Sequence, residues 1–179
     1  MNLTVLILTL IGMFFFTVYN IVILYKFGVP VSLSDSFYLL NGVKKGLGFL
    51  FTTMMVSMAF CLMPGWLEIT ETITCWSSNF TALPFLAAAG IAFVGAAPAF
   101  RKNEVEKLVH GISAYLAAAF SILWICIVCY EVALIVLPIS VFVIVVLGLS
   151  TKTLKSSKIY WLEMLAFLAT FATILIEVL

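Results

Sequence analysis

"LPFLAAAGIAFVGAAPAFRKNEVEKLVHGISAYLAAAF", residues 83–120, decides how the rest of the chain is read. Its first 18 residues carry no charge; RKNEVEK at 101–107 then puts five charges into seven positions, and a second apolar run follows. About 20 apolar residues cross about 30 Å of hydrocarbon as a helix. The stretch therefore reads as two membrane spans joined by a short charged turn. Ala88, Ala92 and Ala96 recur every four residues with Gly95 beside them, and Leu116–Phe120 gives the next run a similar small-residue face. Such faces let helix backbones approach closely in lipid, so these two runs are expected to pack on each other near the bundle centre.

The same pattern extends in both directions. Six apolar runs emerge, at Leu3–Tyr25, Gly46–Met63, Phe80–Phe100, Leu108–Val128, Val132–Leu149 and Ile159–Leu179. None alternates with period two, which counts against a barrel, and lipid leaves an unbroken apolar run only the helix. Of the 179 residues, 65% are hydrophobic and 9% charged, against about 25% charged in a soluble domain. So few charges cannot cover a water-facing surface, and lipid is the main solvent and the first partner of this chain. The absence of a basic stripe or arginine-rich arm excludes nucleic acid as a partner. The first run lacks the basic start and small-residue cleavage site of a signal peptide and is read as a retained helix. The expected fold is a single all-α integral membrane domain, a six-transmembrane-helix bundle spanning residues 1–179.

Orientation follows from the basic residues. Lys26, Lys44 and Lys45 fall in the first connection, Arg101, Lys102 and Lys107 in the third, and Lys152, Lys155 and Lys158 in the fifth, which accounts for all nine lysines and arginines. The second connection carries Glu68 and Glu71, and the very short fourth carries Glu131. By the positive-inside rule, connections one, three and five are cytoplasmic and both termini extracytoplasmic, in a plasma (bacterial inner) membrane. Trp66, Trp76 and Trp124 then belong to the outer aromatic belt, and Tyr160 and Trp161 to the inner one. In the first connection Gly28 and Pro30 end the first helix, Ser34 or Asp35 caps a short interfacial helix, and Asn41-Gly42 closes it. Pro138 kinks the fifth run and frees the Leu134 carbonyl, with Ser140 nearby to compensate.

Two groups of residues hold chemistry. On the basic side, Asn20, Asp35, His110, Ser113 and Glu163 come from four segments to a similar depth. Ionisable groups inside membrane helices mark function by default, so these five are the ligand-binding candidates. The competing reading pairs Glu163 with a loop lysine and leaves His110 at the water interface. A catalytic zinc needs about three protein ligands, usually histidines. His110 is the single histidine, so no metal is expected, and neither the alkaline ceramidase and adiponectin receptor superfamily nor the cytochrome b561 group fits.

On the opposite side, Cys126 and Cys129 form a C-x-x-C, with Cys61 near the end of the second run and Cys75 in the second connection. The "CIVC" stretch resembles the vitamin K epoxide reductases and the bacterial quinone-linked disulfide-forming proteins. Those families pair a membrane-embedded C-x-x-C with loop cysteines and pass electrons to quinone. The resemblance implies catalytic Cys126 and Cys129 with Cys75 as loop partner, and quinone as the only cofactor. Against it, both cysteines approach a helix C-terminus beside Glu131, which disfavours the thiolate that reactivity needs. Three classes of function follow. The first is binding or transport of a small molecule or lipid from a cytoplasm-facing polar pocket. The second is a structural or accessory subunit packed against other membrane proteins or itself, and the third an intramembrane thiol oxidoreductase. The first is preferred, because polar residues of several spans converge at one depth.

Overall fold

The computed structural model describes residues 3–73, 78–101, 104–149 and 157–178, and every regular element among them is helical. Helix α1 is Leu3–Phe27, α2 Ser36–Val43, α3 Phe49–Ile73, α4 Ala82–Ala96, α5 Glu104–Val128, α6 Tyr130–Leu149 and α7 Lys158–Val178. Short 3-10 turns at Leu33–Asp35 and Ser78–Thr81 lead into α2 and α4. Four helices, α1, α3, α5 and α7, are long and apolar enough to cross a membrane, while Ala82–Ala96 and Tyr130–Val146 are shorter apolar helices. The chain is an integral membrane protein of multi-pass type on that helix composition.

The element boundaries have local causes. Helix α1 stops where Gly28 takes a left-handed φ of 72°, its N–H bonding Leu24 O at 3.0 Å. Glycine adopts that conformation without Cβ strain, and Pro30 cannot resume the ladder. The N-cap of the next turn is Ser32, whose Oγ accepts from Asp35 N at 3.2 Å. Ser34 and Asp35 lie inside that turn, and Asp35 takes the N-cap position of α2 as expected from sequence, though its side chain makes no capping bond there. Helix α2 runs through Asn41-Gly42 to Val43. The Asn41 side chain then closes the next turn, its Oδ1 accepting from Gly46 N at 2.9 Å and Gly48 N at 3.2 Å.

Helix α3 does not end at Met63. It continues through Pro64 for ten more residues, with Thr70 and Thr72 hydroxyls bonding the Trp66 and Glu68 carbonyls at 2.6 and 2.8 Å. Glu68 and Glu71 therefore sit on a helix and not in a loop. A proline in a helix interior removes one ladder bond, which packing against neighbouring helices offsets. At Pro138 in α6, Ser140 Oγ bonds the Val136 carbonyl at 2.8 Å and not the carbonyl of Leu134.

In lipid there is little hydrophobic drive between helices, so close packing and interhelical hydrogen bonds hold the bundle. Helix α4 shows this best. A Cβ added at Gly90 would lie 2.8 Å from both Ala117 N and Ser113 O of α5, and one at Gly95 would lie 2.8 Å from Met55 Cβ of α3. Helix α4 is thus gripped on two sides through Gly90 and Gly95, with Ala87, Ala88, Ile91 and Val94 buried beside them. Of the alanine row expected to face the bundle, Ala88 is buried, Ala92 half-buried and Ala96 exposed. On the other side of α3, a Cβ at Gly12 of α1 would meet Cys61 Cβ at 3.0 Å. Phe16 of α1 packs on Phe167 and Phe171 of α7, with ring centroids 4.7 and 5.9 Å apart.

Candidate functional site

The end of the bundle that holds the first connection is organised by one half-buried carboxylate. Glu163 lies on the second turn of α7, and its Oε2 accepts the backbone N–H of Leu33 at 2.6 Å. Leu33 opens the 3-10 turn that runs into α2, so its N–H is one of the donors a helix start leaves without an intrahelical partner. A carboxylate there gains a charge-assisted bond and a favourable position on the helix dipole. Among the described residues no cation lies within ion-pair distance of Glu163, and the charge that reaches it is the negative one of Asp35. The lysine partner that a merely structural role would give it is thus not among the described residues.

Two further contacts seat the first connection on α1 and α7. Tyr160 N donates to Val31 O at 3.2 Å, and the buried Tyr160 hydroxyl donates to Asn20 Oδ1 at 3.2 Å. Asn20 is itself buried in α1 and returns its amide to Phe16 O at 2.8 Å. Tyr19 donates to Ser36 Oγ at 2.5 Å, and Ser36 in turn bonds Leu33 O at 2.5 Å. These bonds form a chain from α1 through residues 31–36 to α7, with each buried polar group finding a partner, as low-dielectric surroundings require.

A second arm reaches the joint between α4 and α5. Asp35, nearly buried, pairs with the half-exposed Arg101 guanidinium. Arg101 lies over the Tyr38 ring at 4.8 Å, and its N–H donates to Tyr38 Oη at 2.7 Å. Tyr38 meets Phe100 edge-on at 5.3 Å, and Phe100 stacks on His110 at 4.4 Å. His110 Nδ1 sits 3.1 Å from Ala97 O, and Glu106 Oε2 accepts from Ala99 N at 2.9 Å, closing the same joint.

Of the five sequence candidates, Asn20, Asp35 and Glu163 therefore meet around residues 31–36. His110 joins them only through Phe100, Tyr38 and Arg101. Ser113 is buried deeper, where its carbonyl faces Gly90 at the α4–α5 crossing. Sequence reasoning missed Tyr19, Tyr38, Tyr160 and Arg101 as members of the layer. Tyr160, expected in the inner aromatic belt, is fully buried, whereas its neighbour Trp161 is 39% exposed.

The opposite end is built differently. Trp66 and Trp124 face each other inside the bundle with centroids 6.0 Å apart, and Trp124 Nε1 donates to Thr70 Oγ1 at 2.7 Å. Both indoles, expected at the headgroups, are about 1% exposed; Trp76 lies outside the described residues. Cys61, Cys126 and Cys129 are free thiols, and Cys75 lies outside the described residues. Cys129, between α5 and α6, is buried, and its Sγ donates to Glu131 Oε2 at 3.7 Å. Burial pushes the Cys129 thiol up, and the carboxylates of Glu177 and Glu131 push it the same way against a Val132 backbone contact. A hollow of about 10 Å³ lined by Cys126, Ile122, Ile125, Ala133, Val136 and Leu137 adjoins the motif. That is the room of one water and not of a quinone ring. Among the described residues, nothing in this geometry activates the Cys129 thiol.

No protein-family model, curated protein or solved structure matches the chain.

Proposed function

We propose that this is a six-span membrane protein that binds or transports a small molecule or lipid at the Asn20–Asp35–Glu163 layer, from the cytoplasmic side. The observation that carries the reading is the convergence of α1, residues 31–36 and α7 on one half-buried carboxylate that has no cation within ion-pair distance among the described residues. Lipid makes such a group costly, and a costly group kept on the inner side of a bundle is a mark of function. In this conformation the layer is closed on itself, so a ligand enters by exchanging its own hydrogen bonds for those of Leu33, Tyr160 and Ser36.

The topology is supported from two directions. Contacts from Asp35 to Arg101 and from Leu33 to Glu163 gather connection one, the α4–α5 joint and the start of α7 at one end of the bundle. These are the segments that hold the lysines and arginines, which the positive-inside rule assigns to the cytoplasm. Helix α4 alone is short, but its 3-10 turn rises faster per residue, and Ser78–Ala96 together reach about 30 Å. Orientation with both termini outside follows on this reading.

Thermal unfolding of the purified protein in nanodiscs, against a panel of small polar solutes and lipids, tests the site. A ligand is expected to raise the wild-type midpoint and to leave Asn20→Leu and Glu163→Gln unmoved. Equal shifts in wild type and both variants place binding elsewhere and remove the proposal. A second reading, a structural subunit packed on other membrane proteins or a second copy, draws on the outer face of α6, where Leu134, Ile135, Val141 and Phe142 are all exposed. It gains if no solute shifts the midpoint while a membrane partner does.

A further inference from the structure

We infer that Glu163 is a proton-binding site whose occupancy decides whether the first connection stays seated on α7, an inference that rests on the reading of this layer as the working site. The geometry supplies three elements. The carboxylate is held by a single strong bond, Leu33 N–H to Oε2 at 2.6 Å. Among the described residues no cation lies within ion-pair distance of it, and the negative charge of Asp35 is the one that reaches it. And the group it holds opens a connection bounded at both ends by glycines in the left-handed region, Gly28 at φ 72° and Gly46 at φ 96°.

The step balances simply. One proton from water bonds to a Glu163 oxygen, the side chain becomes a neutral acid, and nothing is oxidised or cleaved. The Leu33 bond then loses its charge assistance, which is about half its strength, and the turn loses the anion at its positive end. The other titratable and charged groups shown at this point are Asp35 on the connection, held by Arg101 from the α4–α5 joint, Tyr19 on α1, and Tyr160 on α7. Asp35 keeps its own cation, so its pairing with Arg101 acts as a tether while Glu163 acts as the release. A proton arriving at Glu163 thus frees one of two anchors and leaves the segment hinged on the other.

Two measurements on the full chain test this. Infrared difference spectra between pH 5 and pH 9 are expected to show a protonated-carboxyl band that Glu163→Gln removes and Glu106→Gln keeps. Ser34, 3% exposed and nearly isosteric with cysteine, reports undocking. Maleimide labelling of Ser34→Cys, mapped by mass spectrometry and scaled to the exposed reference Val105→Cys, is expected to rise several-fold on acidification. In the Ser34→Cys, Glu163→Gln double variant it is expected to be high and independent of pH. A missing carboxyl band, labelling that still follows pH in the double variant, or a response to sodium at fixed pH would each overturn the inference. Solute-dependent stabilisation that persists in wild type through any of those results leaves the binding site standing and removes only the proton.

Discussion

The two ends of the bundle solve the same problem, polar groups shut away from water, with opposite materials. At the basic end, charged and amide groups tie together segments more than a hundred residues apart, as Leu33 to Glu163 and Asn20 to Tyr160 show. At the other end a neutral pair of indoles and a threonine lock α3 to α5, and the acidic groups surround a thiol without activating it. An aromatic lock fills volume and has one arrangement. A network of bonds to a loop can be exchanged for bonds to something else. On the proposed function, the difference puts the rigid contacts at one end and the exchangeable ones at the other.

That contrast breaks if the wrong end proves sensitive. Trp124→Ala is expected to cost the most, about 3–5 kcal/mol in unfolding measurements in mild detergent, because it empties a fully buried site and removes the Trp124 Nε1–Thr70 Oγ1 bond. It is expected to leave any ligand-induced shift intact. Asn20→Leu deprives the buried Tyr160 hydroxyl of its acceptor and is expected to cost about 1–3 kcal/mol while abolishing that shift. Arg101→Met removes the partner of Asp35, and with the guanidinium half exposed the loss is expected to be about 1 kcal/mol or less, shrinking further at high salt. Cys126→Ala and Cys129→Ala are expected to change stability little and to leave function unchanged. Alkylation of Cys129 is expected to be slow at neutral pH. A raised thiol releases its proton only at higher pH, so the reaction accelerates above the range of an ordinary cysteine, near pH 8.5. Rapid labelling of Cys129 at pH 7 would restore the thiol chemistry and invert the comparison.

Much of this was legible in advance because lipid reduces the choices. Apolar runs must be helices, and the lysine and arginine pattern groups the connections. What the sequence hid were the places where one residue's environment is set by a distant segment. Trp66 and Trp124 look like belt residues until α3 is seen to pass Pro64 without stopping, which carries Trp66 into contact with α5. The carboxyl groups of Asp35 and Glu163 were visible as costly, but their partners, Arg101 and the Leu33 amide, lie 66 and 130 positions away. A backbone N–H has no signature in sequence at all, and Tyr160 reads as an ordinary interfacial aromatic. The cysteine motif misled for the opposite reason. Its spacing is conspicuous, while the burial and flanking carboxylates that quiet it depend on the fold.

The missing side chains at Gly90 and Gly95 have a mechanical consequence. With α5 against one flank and α3 against the other at less than side-chain distance, α4 has no freedom to slide or turn without lifting a neighbour. The three helices pack as one slab, and a side chain larger than hydrogen at either glycine would have to prise α4 off it.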